Sequence, residues 1–284
     1  MVRWTTASAL ALLLLARPVG GEERALAFRS YGVPVATRSL ADLEKTASAR
    51  SVRVFEPYEQ REISFRALPF ERVLDALYGA QWRQAEELLF TCLDGYQPTV
   101  PVARVLEHHA WLAFARDDAP AFTLRKLESG RVQEISAGPF YLVWENLNDT
   151  QVRREGDYAW PYQLTGVELI RARDHFPHMA PPADAPPVAQ QGFAAFRIHC
   201  SRCHTVNGDG GQIGPELNRA EAPAGRRDAK WLHDWIDDPS RLSPGTRMER
   251  LNPALANRDA VIASIIAYLQ AIADHPLRAT GDRG

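Results

Sequence analysis

The sequence is poor in cysteine, in methionine and in net charge. Three cysteines in 284 residues are too few for a disulfide scaffold. A formal net charge of −2 provides no positive field for a polyanion, so we expect no nucleic-acid partner. With 45% hydrophobic and 24% charged residues, the composition is that of a soluble globular protein, and the length allows two ordinary domains.

An apolar run near the N-terminus resembles an export signal. Arg3 precedes it, residues 7–16 carry no charge, and Arg17 ends it, with small residues before a cleavage point at Glu22. The run is shorter than the about 20 apolar residues that a membrane-spanning helix needs. We therefore expect residues 1–21 to be a signal peptide and the mature protein to be periplasmic. The alternative is an uncleaved signal anchor; otherwise the protein would reach a membrane only through a partner.

A proline- and alanine-rich stretch divides the rest of the chain. Residues 179–188 predict a semi-rigid linker. The linker separates a domain at 22–178 from a domain at 189–284.

The first domain mixes strand and helix periodicity. Alternating apolar residues at 51–55 and 62–66 predict a β-hairpin, and helical spacing from Phe70 to Tyr78 predicts a helix that Gly79 can end in a left-handed conformation. Turn signals separate further strand candidates at 88–92, 111–115, 140–144 and 167–171. The pattern predicts an α+β domain with a mostly antiparallel sheet.

The second domain is predicted to be all-α. Helices are expected at 188–199, 229–237 and 259–273, and the last of these has the apolar stripe of a core-facing helix. The connections between them are rich in glycine and proline and could not fill a core unaided. A large apolar prosthetic group would supply the missing core.

One short motif in this domain carries specific chemistry. Cys200-Ser201-Arg202-Cys203-His204 has the spacing of a c-type haem attachment site. Two thiols one helical turn apart can reach the two vinyl groups of one porphyrin, and the next imidazole can bind the iron. A redox dithiol or half a zinc site has the same C-x-x-C core. A zinc site would need a second pair of ligands, and the dithiol would follow a strand in a βαβ unit. We therefore expect one covalent haem c.

The segment from about 190 to 273 resembles the class I cytochrome c family. Gly192 and Phe196 match a glycine and an aromatic that precede the family's motif, and Tyr268 matches an aromatic of its last helix. The family's Gly-Pro-x-Leu turn is present as residues 214–217. The resemblance implies that the carbonyl of Pro215 in this turn orients the proximal imidazole.

The same resemblance implies the sixth iron ligand. A Pro-Gly-Thr-Arg-Met stretch ends at Met248 and is similar to the family's Pro-Gly-Thr-Lys-Met loop, so Met248 is the expected distal ligand. His199 and His233 are competing imidazoles. Trp231 and Trp235 are expected to pack on the haem or to hydrogen-bond a propionate, with plain core packing as the alternative.

The first domain resembles the molybdopterin-binding domain of the sulfite oxidase-like family. The resemblance rests on the stretches at 68–74, 90–96 and 138–144. The family's molybdenum-ligating cysteine is absent from its expected place, upstream of the first stretch, and Cys92 stands where an ordinary strand residue is expected. We therefore expect this fold without molybdopterin.

These observations favour an electron carrier over an enzyme. The leading hypothesis is a periplasmic mono-haem cytochrome whose first domain docks a redox partner protein or respiratory complex. The alternative is a molybdopterin-dependent oxidoreductase that passes electrons from a small substrate to its own haem c. A bound molybdenum would distinguish the second from the first.

Overall fold

The computed structural model describes residues 24–128, 131–219 and 221–274. The expected signal peptide lies outside the described residues, and so do Ser129 and Gly130, which form one of the turn signals between the predicted strands. The strands of the N-terminal part are β1 (Ala25–Ser30), β2 (Val33–Ser39), β3 (Arg50–Glu56), β4 (Arg61–Pro69), β5 (Glu87–Cys92), β6 (Thr99–Pro101), β7 (Ala110–Arg116), β8 (Thr123–Glu128), β9 (Arg131–Ser136), β10 (Tyr141–Trp144) and β11 (Leu164–Ile170). Its helices are α1 (Leu40–Thr46), α2 (Phe70–Tyr78), α3 (Val102–Glu107), α4 (Thr150–Arg154) and α5 (Ala172–His175), with a 3₁₀ segment at Gly79–Gln84.

The strands form two main sheets and a separate hairpin. One sheet has the order β2-β1-β11-β5-β6, and the other has the order β10-β7-β4-β3. Strands β8 and β9 pair only with each other among the described residues. The pair β1–β11 is parallel, whereas the other described strand pairs are antiparallel. The expected α+β architecture is confirmed, and its sulfite oxidase-like identity stays a prediction.

The predicted hairpin and the helix after it are both present. Strand β3 pairs with β4 in a register that places Val52 opposite Phe65 and Val54 opposite Ile63, and all four side chains are buried. Helix α2 follows directly and buries Phe70, Val73, Leu74 and Tyr78. Gly79 ends this helix at φ +65°, a value that side-chain-bearing residues rarely adopt.

The C-terminal part is helical, as expected. Its elements are α6 (Pro187–His199), β12 (Thr205–Val206), β13 (Asp209–Gly210), α7 (Ala229–Asp237), α8 (Pro239–Leu242) and α9 (Arg258–Ala273), with a 3₁₀ turn at Pro223–Gly225. No helix within the described residues combines the length and the apolar character that crossing a membrane requires.

Helices α6 and α9 are in close contact at Gly192. A Cβ at Gly192 would lie 1.8 Å from the carbonyl oxygen of Ser264 and 3.0 Å from the Cβ of Tyr268. The ring of Tyr268 packs on both Phe193 and Phe196, with centroid separations of 5.4 and 5.0 Å. The expected glycine–aromatic contact is therefore present, and it brings the end of α6 against α9.

The two parts of the chain share one apolar cluster. Leu89, Ile170, Phe176 and Met179 from the N-terminal side pack into the core of the C-terminal helices. Met179 is fully buried, and its carbonyl accepts a hydrogen bond of 2.6 Å from the hydroxyl of Tyr268. The predicted linker at 179–188 thus begins inside this core and ends within the first turn of α6.

Candidate haem site

The attachment motif lies in the turns that end α6. The backbone N–H groups of Cys200 and Ser201 both donate to the carbonyl of Phe196, and those of Cys203 and His204 both donate to the carbonyl of Cys200, at 3.0 Å each. The two cysteines are therefore on one turn, with His204 directly after it. This is the local geometry that the five-residue spacing predicts.

The two thiols are unlike those of a redox dithiol. Burial raises the pKa of Cys200 to about 12 and the pKa of Cys203 to about 11. The cysteines of a redox dithiol instead have lowered pKa values, because the thiolate is the nucleophile. Within the described residues no group of three or more His, Cys, Asp or Glu side chains could hold a metal ion.

The turn after the motif orients the imidazole of His204. Its Nδ1 lies 2.9 Å from the carbonyl oxygen of Pro215, which can only accept, so Nδ1 carries the proton. Burial lowers the pKa of His204, and the hydrogen bond to Pro215 offsets only part of this effect. A neutral imidazole with Nδ1 engaged has Nε2 free as a metal ligand.

Gly214 packs directly on the same ring. A Cβ at this position would lie 2.4 Å from Cε1 and 2.5 Å from Nδ1 of His204. The sequence resemblance includes this glycine but gives no reason for it. The structure supplies one: only a hydrogen atom fits between the turn and the imidazole.

The expected distal ligand lies in an irregular segment between α8 and α9. Met248 is half-buried, and its N–H donates to the hydroxyl of Thr246 at 3.2 Å. Further along, the N–H of Leu251 donates to the carbonyl of Ile236 on α7. The charge of Glu249, after burial, contributes to the raised pKa of Cys203.

The two tryptophans of α7 lie side by side. Trp231 and Trp235 stack with centroids 5.2 Å apart and a 9° angle between the rings. Both are half-buried, whereas Leu232 and Ile236 on the same helix are buried in the core. Arg227 lies 4.8 Å over the ring of Trp231. The contact of these tryptophans with a haem stays a prediction.

The competing imidazoles have other surroundings. Burial, followed by the charge of Arg202, lowers the pKa of His199 to about 4. His233 faces two carboxylates, with Nδ1 3.8 Å from Asp234 and Nε2 3.5 Å from Asp259. Neither has the backbone acceptor that orients His204.

Residues of the N-terminal domain contact the attachment turn, which the sequence did not predict. The N–H of Gln97 donates to the carbonyl of Arg202 at 2.9 Å, and the N–H of Gln212 donates to the carbonyl of Gly95 at 3.1 Å. The guanidinium of Arg202 donates to the hydroxyl of Tyr96 at 3.1 Å. The two domains therefore meet at the residues between the cysteines.

A second interdomain contact reaches the methionine segment. The ammonium of Lys126 lies 2.5 Å from a carboxylate oxygen of Glu249, the residue after Met248. The carboxyl group of Asp157, from the N-terminal domain, interacts with that of Glu249. Burial raises the pKa of Asp157, so this carboxyl is the better placed of the two to carry a proton.

The thiol of the N-terminal domain does not fit a molybdenum ligand. Cys92 is buried on β5, its N–H is bonded to the carbonyl of Tyr96, and burial raises its pKa well above the ordinary value. A metal ligand needs an accessible thiolate. Cys92 as it is placed here therefore offers no ligand to a molybdenum.

Comparison with known families finds a match for the C-terminal helical part of the chain. No curated protein shows significant similarity to the chain. The family model for cytochrome c matches residues 189–273, less than a third of the chain. The C-terminal region therefore contains a cytochrome c domain, a family whose members carry covalently attached haem c.

Proposed function

We propose that this chain is a periplasmic mono-haem c-type cytochrome that transfers single electrons, with an N-terminal domain that docks a redox partner protein or respiratory complex. The hydrogen bond of 2.9 Å between His204 and Pro215, directly behind the two-cysteine turn, is the observation that carries the proposal. It supports an imidazole held with Nε2 directed to an iron.

Each site residue has a separate role in this proposal. Cys200 and Cys203 would hold the haem through thioether bonds, and His204 and Met248 would ligate its iron. When bound, the haem supplies one-electron oxidation and reduction at its iron. A methionine sulfur favours the ferrous state and raises the potential. Because His/Met ligation leaves no open coordination position, we infer a carrier and not an oxygen-activating enzyme.

The ligand assignment is tested by Met248→Ala. We expect the weak far-red methionine-to-ferric-haem band to disappear and the midpoint potential to fall by on the order of 0.1 V, within the roughly 0.8 V that axial ligands span. Absorption spectroscopy and potentiometry measure both. The control is Met179→Leu, which changes a buried methionine outside the loop and should keep the band. A band that persists in Met248→Ala would show that another residue is the ligand.

The carrier role and the location are tested on the native protein. Molybdenum at about one atom per haem would overturn the carrier proposal in favour of a molybdopterin enzyme. Recovery of the haem protein in the periplasmic fraction, together with a co-purifying redox protein, is the expected result. Recovery only in the cytoplasmic fraction would contradict the assignment.

A further inference from the structure

The N-terminal domain contacts both segments that carry the proposed iron ligands. On one side, the backbone at 95–97 is bonded to Arg202, between the two cysteines, and to Gln212. On the other side, Lys126 pairs with Glu249, beside Met248. The carbonyl of Arg154 also accepts a hydrogen bond of 3.3 Å from the amide of Asn252. A domain that served only to dock other proteins would not need contacts on both segments.

Lys126 is itself held in place. Its side chain is 19% exposed, and its ammonium lies 5.1 Å from the ring centre of Tyr58 and 5.8 Å from that of Tyr162. These rings belong to the N-terminal domain, where they pack on each other at 5.6 Å. The ammonium is thus a fixed point and not a mobile surface charge.

The methionine segment has little regular structure of its own. The residues between Leu242 at the end of α8 and Arg258 at the start of α9 form turns and irregular backbone. The side chain of Arg258 ties the later part of this segment by donating to the carbonyls of Leu251 and Asn252. The contact of Lys126 lies earlier, immediately after Met248. A fixed charge at that point restricts the positions that the methionine can take.

We propose that the N-terminal domain braces the methionine segment and that Lys126 is a positioning residue for Met248. The inference rests on the proposed His/Met ligation. Loss of the Lys126–Glu249 pair leaves the segment freer to move away from the iron, so that an external ligand displaces the methionine more readily. The N-terminal domain would then have a role within the molecule, in addition to any docking of partners.

The test uses the full-length ferric protein and imidazole as the competing ligand. Lys126→Met keeps the aliphatic stem and removes the charge. We expect imidazole to displace the far-red methionine band at an about ten-fold lower concentration than in the wild type, as for the loss of one coupled contact. Glu249→Gln should act similarly, and the double variant should add little to either single change. Lys126→Arg keeps the charge, so the imidazole concentration that displaces the band should be close to that of the wild type.

The matched control is Arg53→Met, which breaks an exposed pair with Glu62 on the β3–β4 hairpin. Its imidazole titration should equal that of the wild type. If Lys126→Met and Glu249→Gln retain both the band and the wild-type imidazole affinity, the proposed positioning role of Lys126 is wrong, whereas the proposed ligation by Met248 is unaffected. A wild-type protein without the band would instead overturn the proposed ligation. If Lys126→Met fails to fold, Glu249→Gln and Lys126→Arg decide the question by the same titration.

Discussion

Glu56 is a carboxylic acid enclosed entirely by the N-terminal domain. It is fully buried, accepts a hydrogen bond of 2.7 Å from the hydroxyl of Tyr141, and accepts another of 2.5 Å from the N–H of Glu59. Burial raises its pKa from 4.5 to about 7, and these hydrogen bonds offset only part of the effect. The folded domain therefore keeps a proton at Glu56 over a pH range in which the unfolded chain has released it.

We predict that the free energy of unfolding of the N-terminal domain depends on pH through the protonation of Glu56. Because the pKa of Glu56 is higher in the folded state, its contribution to stability is full below about pH 4.5 and is lost as the pH rises to about 7. The loss amounts to about 3 kcal/mol. Urea unfolding of the wild type and of Glu56→Gln at several pH values measures it: the difference between the two proteins should change across this window. Glu62→Gln, at an exposed position, should follow the wild type. Parallel pH profiles for the wild type and Glu56→Gln would refute the assignment.

At the scale of the elements, the crossing of α6 and α9 depends on one missing side chain. We predict that Gly192→Ala destabilises the cytochrome domain by about 3 kcal/mol, because the added Cβ meets the backbone of α9, which cannot rotate away. The gain in helix propensity of about 1 kcal/mol does not offset this. Urea denaturation followed at the haem absorption band measures the change. Gly225→Ala, where a Cβ meets nothing within 4 Å, should be close to neutral. Equal urea midpoints for Gly192→Ala and Gly225→Ala would contradict the close contact of α6 and α9 at Gly192.

The elements that the sequence predicted correctly have strong local patterns. The alternation in β3 and β4 and the helical spacing in α2 arise because each element buries a single face. Strand β2 has no such pattern, since it lies at a sheet edge with all its residues at least partly exposed. Strand β1 pairs with β2 through a tight turn at Tyr31-Gly32, and on its other side with β11, which is distant in the sequence. Both strands were missing from the prediction: β2 lacks a buried face, whereas β1 does alternate between buried and more exposed residues and was overlooked.

The haem site likewise has features that were predictable from local sequence and features that were not. The turn at Cys200–His204 was predictable, because its chemistry lies within five consecutive residues. The orientation of His204 by Pro215 followed from a family resemblance, and the geometry is present. The pair of Lys126 and Glu249 was not predictable, because it joins two domains through charged residues that appear individually as ordinary surface positions. Contacts between residues that are distant in the sequence can be identified only once the folded structure is known.

At the scale of the whole molecule, the shared apolar cluster couples the two domains. We predict that Met179→Ala lowers the stability of the haem-bearing domain by about 3 kcal/mol, although Met179 lies outside the segment that matches the cytochrome family. The cavity would form in the core that joins the domains. Thermal unfolding monitored at the haem band measures the effect, with the more exposed Val188→Ala as the control. An unchanged transition would show that the cytochrome domain is stable without this contact.

The hydrogen bonds from residues 95–97 to the attachment turn also bear on how the protein matures. Synthesis produces the N-terminal domain first, and its residues lie against the attachment turn. The thiols of this turn must be reached before a porphyrin can be joined to them. An enzyme that forms thioether bonds needs that loop uncovered. We therefore expect the cofactor to be attached while the two domains are still apart, and their docking to be the last step of assembly.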